Sequence, residues 1–328
     1  MVDDPQRIPV LLIGGTGRSG TTVLADLFRL HPDVASVPEW RFLTDPDGIL
    51  HFYAQSQHWT PFAFDVAIRR LEALLHAVDR PVGVGDWIAR YIEGLGLGRR
   101  RQVRRRYAGL HASTVCPDFT ALSGRLIEQL TEFRFQGSWI GMQRGGRREM
   151  FYSDTTDRTA VASVLSGFLR SVVASVLAAS SARFYVEKNT WNVLWFDVIQ
   201  ELLPESRLVH IIRDPRDVVA SFTSKSWMPD EPVLAARVYR DLMVRARAVR
   251  ALVPEASWLD VKLEDLVAAP QSTIERICSF WGIPFHESML GADLGKSNAG
   301  RWRTQLSQAQ QLEVERECGE LIAELGYR

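Results

Sequence analysis

The sequence predicts an α/β protein: a central parallel sheet with helices on both faces, interrupted by a large helical insertion. Three observations carry this. Val10-Leu-Leu-Ile13 is a short apolar run closed by Gly14-Gly15, the pattern of a strand buried on both faces. After Gly20, residues Val23, Leu24, Leu27, Phe28 and Leu30 follow the helical period until Pro32 stops it, so strand, glycine loop and helix open a βαβ unit. The alternation then returns late in the chain, with a strand over Arg183 to Val186, a helix over Val193 to Leu203 and a strand over Leu208 to Ile212.

The other elements follow in order. Asp214 to Ser224 is predicted helical, with Asp214 or its neighbour as cap and Pro215 in the first turn. Trp258 to Val261 adds a strand, Pro270 to Trp281 a helix, and Ser307 to Leu325 a C-terminal helix. The middle, 42–182, reads as mostly helical (Phe64 to Val78, Phe119 to Phe135, Thr159 to Ala179) and is expected to be an insertion or lid within a single 1–328 domain. Ala160 to Ala179 has the length of a membrane span but carries Arg170 and interspersed serines, so a buried or amphipathic helix is expected.

Composition narrows the function classes. The 328 residues suffice for a sizeable core, and 39 Lys+Arg against 39 Asp+Glu leave no net field to attract nucleic acid. Hydrophobic residues at 46% and charged ones at 24% are those of an ordinary folded chain. Three widely spaced cysteines build neither a disulfide framework nor a Cys-x-x-Cys metal site. With no signal peptide at the N-terminus, a reducing, cytoplasmic compartment is expected. No Ser-His-Asp, Cys-His or metal-spaced cluster stands out, so no metal is expected.

Residues 15 to 22, Gly-Thr-Gly-Arg-Ser-Gly-Thr-Thr, fit the Walker spacing but place Thr21 where the phosphate lysine belongs. The physics of the loop survives that change. Small residues let backbone N–H groups close on an anion at a helix N-terminus, Arg18 supplies a cation, and Thr21 and Thr22 supply hydroxyls. Gly17, Arg18, Ser19, Gly20, Thr21 and Thr22 are thus candidate nucleotide contacts, and a P-loop kinase or NTPase is the alternative reading.

Arg18-Ser-Gly-Thr-Thr22 after a strand, followed by Leu208 to Phe222, resembles the sulfotransferases that use 3′-phosphoadenosine 5′-phosphosulfate (PAPS). The resemblance implies that the first loop holds the 5′-phosphosulfate. It also implies that Arg213, with Ser221 eight positions on, holds the 3′-phosphate. Gly295 to Arg303 resembles the family loop that closes over the 3′-phosphate and adenine, which makes Lys296, Ser297, Gly300, Arg301 and Trp302 candidate contacts. Which cation reaches the phosphate is not readable from spacing.

The layout is most similar to tyrosylprotein, bacterial and carbohydrate-type sulfotransferases, whose loop arginine lies 21 residues before a catalytic glutamate, as Arg18 does before Glu39. The resemblance implies Glu39 as general base, with Lys188 of Glu187-Lys-Asn-Thr190 beside Arg18 on the leaving phosphate. An in-line transfer to an acceptor hydroxyl follows, with PAPS as co-substrate and no metal. His31, directly after a helix, reads as a C-terminal cap instead of a base. Arg99 to Arg106 packs six arginines into eight residues: a solvated helix face by the common rule, or a peripheral contact with a membrane surface. The aromatics Trp40, Phe42, Phe52, Tyr53, Trp59, Phe62, Phe64 and Trp139 read mainly as core, with an acceptor pocket as the other reading.

Overall fold

The computed structural model describes residues 8–37, 39–79, 111–138, 147–294 and 299–327. Arg99 to Arg106, Trp139, Lys296 and Ser297 therefore lie outside the described residues. The chain divides into two compact units, one formed by residues 9–39 and 182–328, the other by 40–181 with 1–8.

The first unit is the α/β core. Its strands β1 (Val10–Gly14), β2 (Val34–Val37), β5 (Phe184–Lys188), β6 (Arg207–Ile212) and β7 (Trp258–Lys262) form one sheet in the order β2-β5-β1-β6-β7, every pairing parallel. All five residues of β1 are buried, as its unbroken apolar run requires of a strand covered on both faces. On one face α1 (Thr21–Arg29) and α12 (Pro270–Trp281) pack through Leu24, Leu27, Phe28, Ile274 and Trp281 onto Leu11 and Ile13. The other face is covered by α8 (Asn192–Leu202), whose Phe196 meets Trp258 edge to face, while α9 (Pro215–Phe222), α10 (Pro232–Arg250) and α14 (Gln308–Glu324) form a second cluster.

Parallel strands put all their C-terminal ends on one edge. The loop after β1, residue Glu39 beyond β2, Lys188 closing β5 and Arg213 after β6 share that edge. The strand order also reverses direction about β1, and open α/β sheets bind their ligands at such a point. His31 precedes β2 and so sits at the opposite edge. Its Nδ1 accepts the Asp33 N–H at 3.1 Å, which leaves Nε2–H to donate to the Pro284 carbonyl at 2.9 Å. That is a structural cap, away from the loop.

The second unit is built on α2 (Arg41–Thr44), α3 (Ile49–Gln55), α4 (Pro61–Asp79), α5 (Ala112–Val115), α6 (Phe119–Gln129) and α7 (Arg158–Ser180). It also holds an antiparallel hairpin, β3 (Phe133–Gly137) with β4 (Arg148–Tyr152). The helix expected over Phe119 to Phe135 therefore ends early, and Phe133 and Phe135 stand exposed on a strand. Helix α7 is long and apolar enough to cross a membrane, but Val161, Leu165, Phe168, Val172 and Val176 are buried while Ser163, Gly167 and Ser171 face outward. Trp40, Phe42, Phe52, Tyr53 and Phe64 are core, and Phe52 and Phe64 with Trp59 and Thr155 also line a cleft.

Candidate active site

The glycine loop is fixed by backbone conformations that side chains disfavour. Gly17 and Gly20 have φ of 84° and 108°, and a Cβ on Gly15 would lie 2.3 Å from Ser19 Oγ. The Gly15 N–H donates to Thr190 O at 3.1 Å, tying the loop to the end of β5. Helix α1 begins at Thr21 with no side chain capping its first turn, so its N–H groups face the loop. Ser19 is 1% exposed and its Oγ has no hydrogen-bond partner. A buried hydroxyl left unpartnered beside the uncapped start of α1 fits an anion that would complete its hydrogen bonding.

Beyond the loop, two guanidinium groups meet on one hydroxyl and a third lies beside them. Arg18 Nε donates to Ser221 Oγ at 2.9 Å and Arg301 Nη1 to the same oxygen at 3.2 Å. Arg213 joins them, its Nη1 donating to Arg18 O at 3.3 Å and its Nη2 lying 3.4 Å from Asp217 Oδ2. Burial and then the charges of Arg301 and Arg213 push the Arg18 guanidinium below its ordinary pKa. With both lone pairs of Ser221 taken, its own proton remains as a donor. A buried hydroxyl donor held by two guanidiniums, with a third nearby, suits a phosphate monoester, whose charge of about −1.5 to −2 would also relieve their mutual repulsion.

The second cluster is a pair. Lys188 Nζ meets Glu39 Oε1 at 2.7 Å, with both side chains part-exposed. The nearer carboxylate in sequence, Glu187, points to the other face of β5 and accepts from Asn192 Nδ2 at 2.7 Å. Lys188 keeps two further N–H donors, and Glu39 brings a carboxylate to the same spot.

The structure thus brings together Gly17, Arg18, Ser19, Gly20, Thr21, Arg213, Ser221 and Arg301, with Glu39 and Lys188 as a pair at the same sheet edge. Thr22 is exposed on the first turn of α1. The Arg18 side chain turns to Ser221, which places it with the Arg213 cluster. Gly300 and Trp302 contribute backbone N–H groups, at 2.7 and 3.1 Å from the Asp217 carboxylate, while the Trp302 ring is buried beneath Arg216 and Arg303, 4.2 and 4.4 Å from its centroid. Two residues of the site are not apparent in the sequence. Asp217 has no assigned role there, and Trp227, half exposed, lies against Gly17 and edge-on to Phe222. No spacing in the sequence announces either.

The sulfotransferase family model matches residues 71–287, a stretch that contains Lys188, Arg213 and Ser221 and begins after the glycine loop. A candidate protein-tyrosine sulfotransferase of Caenorhabditis briggsae is 22% identical over 160 residues, which are 47% of this chain and 55% of that protein. The chain thus spans about half the length of that curated relative. The sulfotransferase domain of the Synechococcus PCC 7002 olefin synthase superposes with a TM-score of 0.50 at 18% identity, over 97% of this chain and 96% of that one. A Mycobacterium avium sulfotransferase gives 0.45 at 13% identity, over 100% and 79%. At such identities the likeness to the Synechococcus domain is one of fold.

Proposed function

Since this chain belongs to the sulfotransferase family, we propose that it moves the sulfuryl group of PAPS to an acceptor hydroxyl by in-line displacement. The observation that carries the donor assignment is the meeting of Arg18 and Arg301 on the buried hydroxyl of Ser221, with Arg213 tied to the Arg18 carbonyl beside them. An ordinary nucleoside triphosphate has no second phosphate for such a site, whereas a 3′-phosphorylated nucleotide does. When bound, PAPS supplies an activated sulfuryl group, and no metal is required to neutralise it.

The chain's own residues then divide the work. The loop amides, Ser19 Oγ and the N-terminus of α1 hold the 5′-phosphosulfate. Arg213, Ser221, Arg301 and Arg18 hold the 3′-phosphate. Glu39 takes the acceptor proton, and Lys188, which orients that carboxylate, turns its remaining N–H donors to the leaving phosphate oxygen. Thr21 in place of the Walker lysine speaks against the kinase or NTPase alternative.

Calorimetric titration with 3′-phosphoadenosine 5′-phosphate (PAP), AMP and Mg²⁺-ATP tests the donor assignment without an acceptor. Tight, Mg²⁺-independent binding of PAP that collapses in AMP is expected. Preference for Mg²⁺-ATP would overturn it and return Glu39 to an ordinary carboxylate.

A further inference from the structure

Asp217 has no role in the chemistry above, yet its carboxylate is 1% exposed and lies among the guanidiniums that the donor reading assigns to the 3′-phosphate. Charge alone argues against it there. A carboxylate beside a bound phosphate repels it, so geometry has to explain its presence. The geometry is specific: Oδ2 accepts the Gly300 N–H at 2.7 Å and Oδ1 the Trp302 N–H at 3.1 Å. These are the residues immediately before and after Arg301. Gly300 turns the chain at φ 76° so that both N–H groups face one carboxylate.

We propose that Asp217 is a positioning residue of the nucleotide site: it grips the turn on both sides of Arg301 and thereby places that guanidinium on Ser221. The inference rests on the PAPS reading of the site. Two further contacts stiffen the same arrangement. Arg213 Nη2 lies 3.4 Å from Asp217 Oδ2, so one carboxylate ties the strand-end guanidinium to the turn that carries the other. The Trp302 ring sits under Arg216, which Asp214 holds through bonds of 3.0 and 2.8 Å, so the C-terminal side of the turn is fixed as well. Left between the two gripped N–H groups, the Arg301 side chain runs to Ser221 Oγ.

The two explanations of Asp217 predict opposite signs. Asp217→Asn keeps the shape but removes the charge, and it offers one acceptor where two backbone N–H groups need one each. If charge governed the site, the variant would bind PAP more tightly. If positioning governs it, PAP affinity falls by about tenfold, the size of one lost hydrogen bond to a charged group, while AMP affinity stays within about twofold. Calorimetry with PAP and AMP on wild type, Asp217→Asn, Arg301→Ala and the double variant reads this directly. Since Asp217 acts largely through Arg301, the double variant should lose less than the product of the two single losses. Should Asp217→Asn not fold, Asp217→Glu retains the charge but displaces the turn by a methylene, and the same fall in the PAP-to-AMP ratio is expected. An unchanged or improved ratio, or fully multiplicative losses, overturns the inference alone. A wild-type protein that binds PAP no better than AMP overturns the donor reading beneath it.

Discussion

Replacing Gly20 by alanine tests whether the loop is held in a conformation that only glycine adopts at low cost. Its φ of 108° lies in a region that costs another residue about 1–3 kcal/mol. A Cβ there would also stand 2.9 Å from Leu263 Cδ1 and 3.3 Å from Ile211 Cδ1. Both side chains belong to the buried core under α1, so relief of the contact strains their packing by about another 1–3 kcal/mol. Gly20→Ala should therefore destabilise the protein by roughly 2–6 kcal/mol. Gly167 in α7 is the internal control: its added Cβ meets nothing within 4 Å and the position is helical, so the same substitution should stabilise by about 0.5–1 kcal/mol. Equilibrium urea unfolding of the two variants reads both signs, and calorimetry with PAP should show weakened binding for Gly20→Ala only. A Gly20→Ala midpoint at or above that of wild type would refute the reasoning, because neither the strained dihedral nor the core contact could then be real.

Glu39→Gln should lower kcat by about 10²–10⁴ with PAP affinity almost unchanged, since Glu39 pairs with Lys188; a comparable loss of PAP binding in calorimetry would dismiss it as the base. Acid stability should register Asp260. Burial works to raise its pKa, but the ring of His210 at 2.8 Å, the Trp258 N–H at 2.9 Å and Arg250 hold it below the ordinary value. A depressed folded pKa stabilises above the unfolded value of about 4 and is lost as pH falls through the folded one. The stability gap between wild type and Asp260→Asn, read from urea midpoints, should be constant at neutral pH and close in acid; a gap that widens in acid contradicts the assignment. Burial raises all three thiols, Cys278 to about 11 and Cys318 to about 12. At pH 8 an aromatic disulfide reagent should label almost none of them in the folded protein and all three after denaturation, and rapid labelling of the native chain would show that this core opens.

The parts of the fold that are legible in the sequence are those in which burial is written as an unbroken apolar run. Strands β1 and β6 are covered on both faces, so they announce themselves over five or six residues. Helix α10 is hidden for the converse reason. Its buried stripe is Ala235, Ala236, Tyr239, Met243, Ala246 and Val249, half of it alanine, set among arginines that make the segment look solvated. The hairpin is hidden because β3 is exposed along nearly its whole length, and its pairing with residues 148–152 leaves no mark on the spacing of Phe133 and Phe135.

The site divides along a similar line, between contacts that a short stretch of chain fixes and contacts that only folding creates. Arg213 and Ser221 lie eight positions apart on one strand-to-helix segment, so the family resemblance that this segment carries reaches both. The loop residues share that advantage. Arg301 is different: it is 80 residues from Ser221, and whether it or Arg303 reaches the hydroxyl depends on the turn that Asp217 holds. Arg303 lies instead over the Trp302 ring, so two arginines separated by one residue have unrelated tasks. Arg18 shows the same limit from within a recognised motif. Its position in the loop is legible, but the direction of its side chain, toward a hydroxyl 203 residues along the chain, is a tertiary contact that no spacing marks. On the proposed function, an Arg18 engaged with the 3′-phosphate leaves Lys188 as the principal cation at the leaving oxygen. Lys188→Ala should then cost more turnover, at saturating donor, than Arg18→Ala, whose loss should fall mainly on nucleotide affinity.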